Sequence, residues 1–86
     1  RIRKKLDKLD NLFLDLIKKR TGLVDQVLKN KRYKKDIVDK KRIKKILKNI
    51  NQKSKRKKID PKITQRIWRA MIGAYIDYEF RNFKKK

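Results

Sequence analysis

Neither cysteine nor histidine occurs in this chain of 86 residues. The first absence removes disulfides and thiolate chemistry, whether nucleophilic or metal-binding. The second removes the side chain that most often serves as general base and metal ligand near neutral pH. Proline occurs once and glycine twice, and no glycine-rich phosphate loop, Ser/His/Asp set or metal-ligand cluster can be assembled from what remains. No apolar run approaches the roughly 20 residues of a membrane-spanning helix. No leader segment is expected before the first apolar positions, and neither an internal repeat nor an alternating strand pattern occurs. A reducing cytoplasm is therefore the expected compartment.

Carboxylates are scarce, nine against 31 lysines and arginines, for a net charge of +22. Clustered lysines displace counterions from phosphates, so one reading is a non-catalytic basic helical protein that binds nucleic acid. The other is a solvated surface in a chain whose coding bias favours Lys, Asn and Ile. Leu, Ile and Val keep helical spacing beneath the lysines, and the excess is mostly Lys rather than Arg, which favours the second. Either way the field attracts small polyanions. A chain of this length makes at most one domain, and its thin core gains from a partner chain.

Residues 1–32 organise the rest. Ile2, Leu6, Leu9, Phe13, Leu16, Leu23 and Val27 recur in alternating steps of four and three apart from one place, the strip of a helix buried along one face. Arg20 takes the seam position between Leu16 and Leu23. Lys31 is eleven residues further on, three turns plus roughly 20°, so a continuous helix projects both cations from one side. Arg3 points about 100° away from Arg20 on the same reckoning. Cations on or beside an apolar seam are costly unless an anion meets them. Some 30 residues of helix reach roughly 45 Å, more than a compact monomer of this size covers, so part of the seam should pack on a second copy. Gly22 is expected to be a close-packing spot for a crossing helix.

Helix 1 is thus expected over about 2–32, followed by a short basic connection over 33–38. Asp39 is an N-cap with Arg42 three residues on, opening helix 2 over about 40–50 with Ile43, Ile46, Leu47 and Ile50 inward. The polar stretch 51–59 is expected to be a loop with frayed helix ends. Asp60-Pro61 is a strong start signal for helix 3 over about 61–83, with Ile63, Ile67, Met71, Tyr75 and Ile76 inward, and a disordered basic tail over 84–86. The fold class is all-α: three helices, long, short and medium. Glu79 lies among aromatics one turn after Tyr75. Taken singly, Glu79 reads as a surface carboxylate paired with a lysine, Arg20 as a snorkelling seam residue and Tyr75 as core. Together, the cations of helix 1, the start of helix 2 and the Tyr75/Glu79 pair can surround one cavity.

The runs LDKLDNLFLDLIKKRTGLVDQVLKNK, IVDKKRIKKIL and IDPKITQRIWRAMIGAYIDYEF, in that order, resemble the all-helical class of chorismate mutases. The most specific parts are the arginine before L-D-x-L-D, the Arg20 to Lys31 spacing, D-x-x-R at Asp39 to Arg42, and the late helix ending in Glu79. The resemblance covers Arg3 to about Phe83. It implies an intertwined helical homodimer of three-helix chains without metal or cofactor, acting on a small dianion rather than a membrane or a nucleic acid. It implies that Arg3 crosses into the partner's site, that Arg20 holds a substrate carboxylate, and that Lys31 touches the ether oxygen. Asp39 and Arg42 would help bind the ring hydroxyl and a carboxylate. Glu79 stands where many members carry Gln and others Glu, again at the ether oxygen.

Two positions depart from the mutase pattern. Ile43 stands where mutases have Glu, and Tyr75 where many have Ser. Both resemble the isochorismate pyruvate-lyase branch of the same fold, whose activity is the alternative expectation. The rearrangement of chorismate to prephenate needs neither nucleophile nor base, which suits a chain without Cys or His. Arginines can clamp two carboxylates and hold a compact conformer. Lys31 and a protonated Glu79 would stabilise the charge gathering on the ether oxygen more in the transition state than in the ground state.

Overall fold

The computed structural model describes residues 1–84 and is all-α, with three long helices and one short 3-10 turn. Helix α1 spans Ile2–Asn30, α2 Lys40–Arg56 and α3 Pro61–Asn82, with the 3-10 turn at Lys34–Asp36. Lys84 has no regular structure, and the rest of the expected basic tail lies outside the described residues. No helix among them is long and apolar enough to cross a membrane. The chain divides into two compact units, α1 and the portion from Lys31 onward.

Taken by itself, α1 is 29 residues long, or about 43 Å. Its apolar row is exposed: Leu9 at 58%, Leu16 at 61% and Leu23 at 61%. The helix ends at Asn30, two residues before the expected limit. Lys31 therefore lies beyond the last turn, and the helical phase that aligned it with Arg20 does not extend to it. Around Gly22, no atom beyond its own stretch of helix lies within 4 Å of where a Cβ would project.

The second unit is a hairpin of α2 packed on α3. At the head of α2, Asp39 Oδ1 accepts from the Arg42 amide at 3.0 Å. At the head of α3, Asp60 Oδ1 accepts from the Lys62 amide at 2.9 Å, with Pro61 in the first turn. Each cap satisfies a donor that the first turn leaves without a partner. The main correction is at the end of α2, which continues six residues past Ile50 to Arg56. Its inward row, Ile43, Leu47 and Ile50, runs on through a polar residue, Ser54, which is 3% exposed. Ser54 Oγ donates to the Ile50 carbonyl at 2.6 Å and shares a 2.7 Å hydrogen bond with Thr64 Oγ1. Two turns nearer the head of α2 than Ser54, Gln65 Nε2 donates to the Leu47 carbonyl at 2.9 Å.

These polar contacts set the register of α3. Thr64, Gln65, Trp68, Ile72 and Ile76 are sheltered, whereas Ile63 and Ile67, expected inward, are 55% and 36% exposed. Met71 and Tyr75 are half-buried, as expected. The helices are joined by a tight reversal. Ile59 N donates to the Ser54 carbonyl at 2.8 Å and Lys58 N to the Lys55 carbonyl at 3.1 Å. This is the paired hydrogen-bond pattern of a Schellman motif.

Candidate active site

Lys31 is the first residue after α1. The chain then passes through Tyr33 in extended conformation (φ −127°, ψ 148°) into the 3-10 turn. There the Asp36 carboxylate accepts from the Tyr33 amide at 3.3 Å, and Ile37, 4% exposed, anchors the segment. An apolar residue that occurs amid lysines and yet is buried fixes the path of its neighbours, because moving it would return its apolar surface to water. Ile37 is thus a positioning element that sequence reasoning passed over as part of a basic connection.

With the segment held in this way, Lys31 Nζ donates to Glu79 Oε1 at 2.8 Å, across 48 residues of sequence. The lysine side chain is 20% exposed and the carboxylate side chain 9%. Glu79 is therefore paired with a lysine, but in a sheltered position rather than on the surface. Its neighbour pair, Arg81 with Asp77 at 3.0 Å, spans one turn of α3 with both side chains more than half exposed. Surface pairs of that kind contribute little, whereas a sheltered pair is costly to break because it leaves one charge uncompensated. An ammonium has three donors, so Lys31 keeps two beyond the one given to Glu79.

Tyr75 is half-buried one turn before Glu79, its ring edge-on to Tyr78 with centroids 6.4 Å apart and planes at 88°. Asp39 and Arg42 are exposed at the head of α2, joined by the cap. A shallow, open depression of about 490 Å³ is lined by Lys35, Asp36, Val38, Asp39, Lys40 and Lys41. It contains Asp39 but neither Lys31 nor Glu79, and we do not identify it with the Lys31–Glu79 centre. Ile43 is half-buried on the inward stripe of α2, one turn after Asp39, whose carbonyl accepts its amide at 3.0 Å.

The structure thus brings Lys31 and Glu79 into contact and sets Tyr75 one turn away. It puts Asp39 and Arg42 on the first turn of the adjacent helix. Arg3 and Arg20 belong to the other unit, α1, where Arg3 is exposed and Arg20 half-buried. Among the described residues every buried side-chain nitrogen and oxygen has a hydrogen-bond partner. Lys31 and Glu79 offset one another's charge.

The chain matches the family model described as chorismate mutase type II over residues 2–80. No curated protein and no solved structure gives a significant match. The family match takes in all of α1 and α2 and α3 as far as Phe80, and so contains Arg3, Arg20, Lys31, Asp39, Arg42, Tyr75 and Glu79. Over nearly its whole length, then, this chain belongs to the chorismate mutase type II family.

Proposed function

We propose that the protein is a chorismate mutase, converting chorismate to prephenate on the route to aromatic amino acids. The observation that carries the reading is the sheltered Lys31–Glu79 contact at 2.8 Å, in a chain of that family with no histidine or cysteine. The reaction breaks one ether C–O bond and forms one C–C bond within the same molecule, exchanging no proton or group with the enzyme. What the protein must supply is a fixed conformation and stabilisation of charge.

Each residue then has a physical task. Arg20, with Arg42 and Arg3 of a second copy, neutralises the two substrate carboxylates and favours the compact conformer. Asp39 meets the ring hydroxyl, and Tyr75 bounds the pocket one turn from Glu79. As the C–O bond lengthens, its oxygen becomes negative, and the two remaining donors of Lys31 can meet it. A proton on Glu79 turns that side chain from an acceptor for Lys31 into a second donor to the same oxygen. Both interactions strengthen in the transition state, which is what lowers a barrier. The homodimer is part of the proposal, supported by the exposed row on α1.

One observation favours a second activity. Ile43 presents an apolar side chain to the stripe behind Asp39 and Arg42, so no carboxylate stands at that place for a substrate hydroxyl. That supports isochorismate pyruvate-lyase, in which the same cations would hold isochorismate while hydrogen passes to the departing enolpyruvyl group. The test offers each substrate separately and follows prephenate and free pyruvate. Chorismate should yield prephenate, and Lys31→Ala and Arg20→Ala should each lower turnover by about 10²–10³-fold with helicity unchanged by circular dichroism. Wild-type turnover in both folded variants would remove the site, and pyruvate from isochorismate alone would replace the mutase by the lyase.

A further inference from the structure

Charge is unevenly distributed among the three helices. Helix α1 mixes signs, with Asp7, Asp10, Asp15 and Asp25 among its lysines and arginines, and α3 carries Asp77 and Glu79 beside its arginines and lysine. Helix α2 has no carboxylate at all. From Lys40 to Lys58 there are eleven cations and no anion, and every one of the eleven is exposed. A coding bias toward lysine would load all three helices. A surface serving only solubility intersperses the two signs, as α1 does.

The arrangement works against α2 itself. Beyond the Asp39 cap, its first turn, where the helix dipole favours anions, carries Lys40, Lys41 and Arg42 and nothing acidic. Lys41 with Lys45 and Lys44 with Lys48 are like charges one turn apart, which repel. Among the described residues no ion pair involves an α2 cation. An external polyanion would relieve all of these at once.

At 100° per residue, Lys41, Lys44, Lys45, Lys48, Lys55 and Arg56 fall within one arc of about 120°, opposite the stripe packed on α3. The arc is about 22 Å long, over which a duplex presents roughly a dozen phosphate charges. No apolar or aromatic residue interrupts it. Protein partners are anchored by such residues, single strands stack on aromatics, and a membrane surface needs the apolar face, which here is turned to α3. We infer that the outward face of α2 binds the phosphate backbone of double-stranded nucleic acid, by charge and without sequence preference, as a second activity beside the enzyme.

The test measures fluorescence anisotropy of the whole chain with labelled DNA and RNA duplexes of about 20 base pairs, three times the length α2 spans. A variant with Lys41, Lys45, Lys48 and Lys55 all changed to Gln is compared with one carrying Lys4, Lys5, Lys8 and Lys18 of α1 changed to Gln, which loses the same charge. The α2 variant should bind at least about tenfold more weakly near 100 mM salt, its log–log salt slope shallower by up to about 3.6, while the α1 variant stays within about threefold. Equal weakening in both variants would show diffuse charge and overturn the proposal. So would equal or tighter binding of poly-glutamate, single strands or phosphatidylserine vesicles, or no duplex binding at that salt. Neither variant touches Arg20 or Lys31, so failure here and failure of the mutase assignment are read separately.

Discussion

Lys58 adopts φ 59° at the turn between α2 and α3, a left-handed conformation that brings Cβ close to the following carbonyl oxygen. Glycine is the usual residue at this point of a Schellman motif because it has no Cβ. Lys58→Gly should therefore raise stability by about 1 kcal/mol, read as a higher urea midpoint at unchanged slope. A lower midpoint would mean that the lysine side chain contributes more than its backbone costs. A second residue-scale prediction concerns Glu79. In the proposed site Glu79 stands beside Lys31 at the ether oxygen, so Glu79→Ala should lower turnover by about 10²–10³-fold with helicity unchanged by circular dichroism, whereas Glu79→Gln, which can donate to that oxygen, should retain activity. Wild-type turnover in the folded Glu79→Ala variant would remove Glu79 from that role while leaving Lys31 in place.

Among the elements, α2 and α3 show how a polar contact can extend a helix beyond its apolar pattern. The stretch after Ile50, NQKSKRKKI, contains no hydrophobic residue until Ile59, and a reading based on apolar periodicity ends the helix there. Ser54 continues the stripe because Thr64 and the Ile50 carbonyl accommodate its hydroxyl. Thr64 stands on a different helix, so nothing local to residues 51–59 announces the pairing. Ser54→Ala should cost about 1–2 kcal/mol, since it leaves Thr64 with only its longer bond to the Pro61 carbonyl at 3.3 Å. The double change with Thr64→Val should cost less than the sum of the two single changes. Strict additivity in denaturant unfolding would mean that the two hydroxyls do not act as a pair.

At the scale of the molecule, the exposed apolar surface is the dominant fact. The row Leu6, Leu9, Leu16 and Leu23 on α1 lies more than half in water, and Ile59 and Ile63 expose a further row where α3 begins. Contiguous surfaces of this kind mark interaction sites, and burying one large aliphatic side chain contributes about 1.5–3 kcal/mol. A second copy of the chain would cover the α1 row, as the proposed homodimer requires. Leu16→Lys should then convert the dimer to monomer in sedimentation velocity and abolish turnover, because the proposed site would lose the partner's Arg3. A monomeric wild type with full activity would exclude the shared site.

The apolar periodicity, the two Asp caps and the single Pro were enough to predict three helices, their order and their starts, because these depend on residues within a turn or two of one another. The family resemblance was carried by the same local runs. Tertiary structure decided where α2 ends, which way Ile63 and Ile67 face, and that Lys31 meets Glu79. Each of these depends on partners far apart in the chain: Ser54 with Thr64, Gln65 with the Leu47 carbonyl, Lys31 with a carboxylate 48 residues away. A hydroxyl, an amide or an ammonium becomes part of an interior only when its counterpart is supplied from another segment, and that supply exists only once the chain has folded.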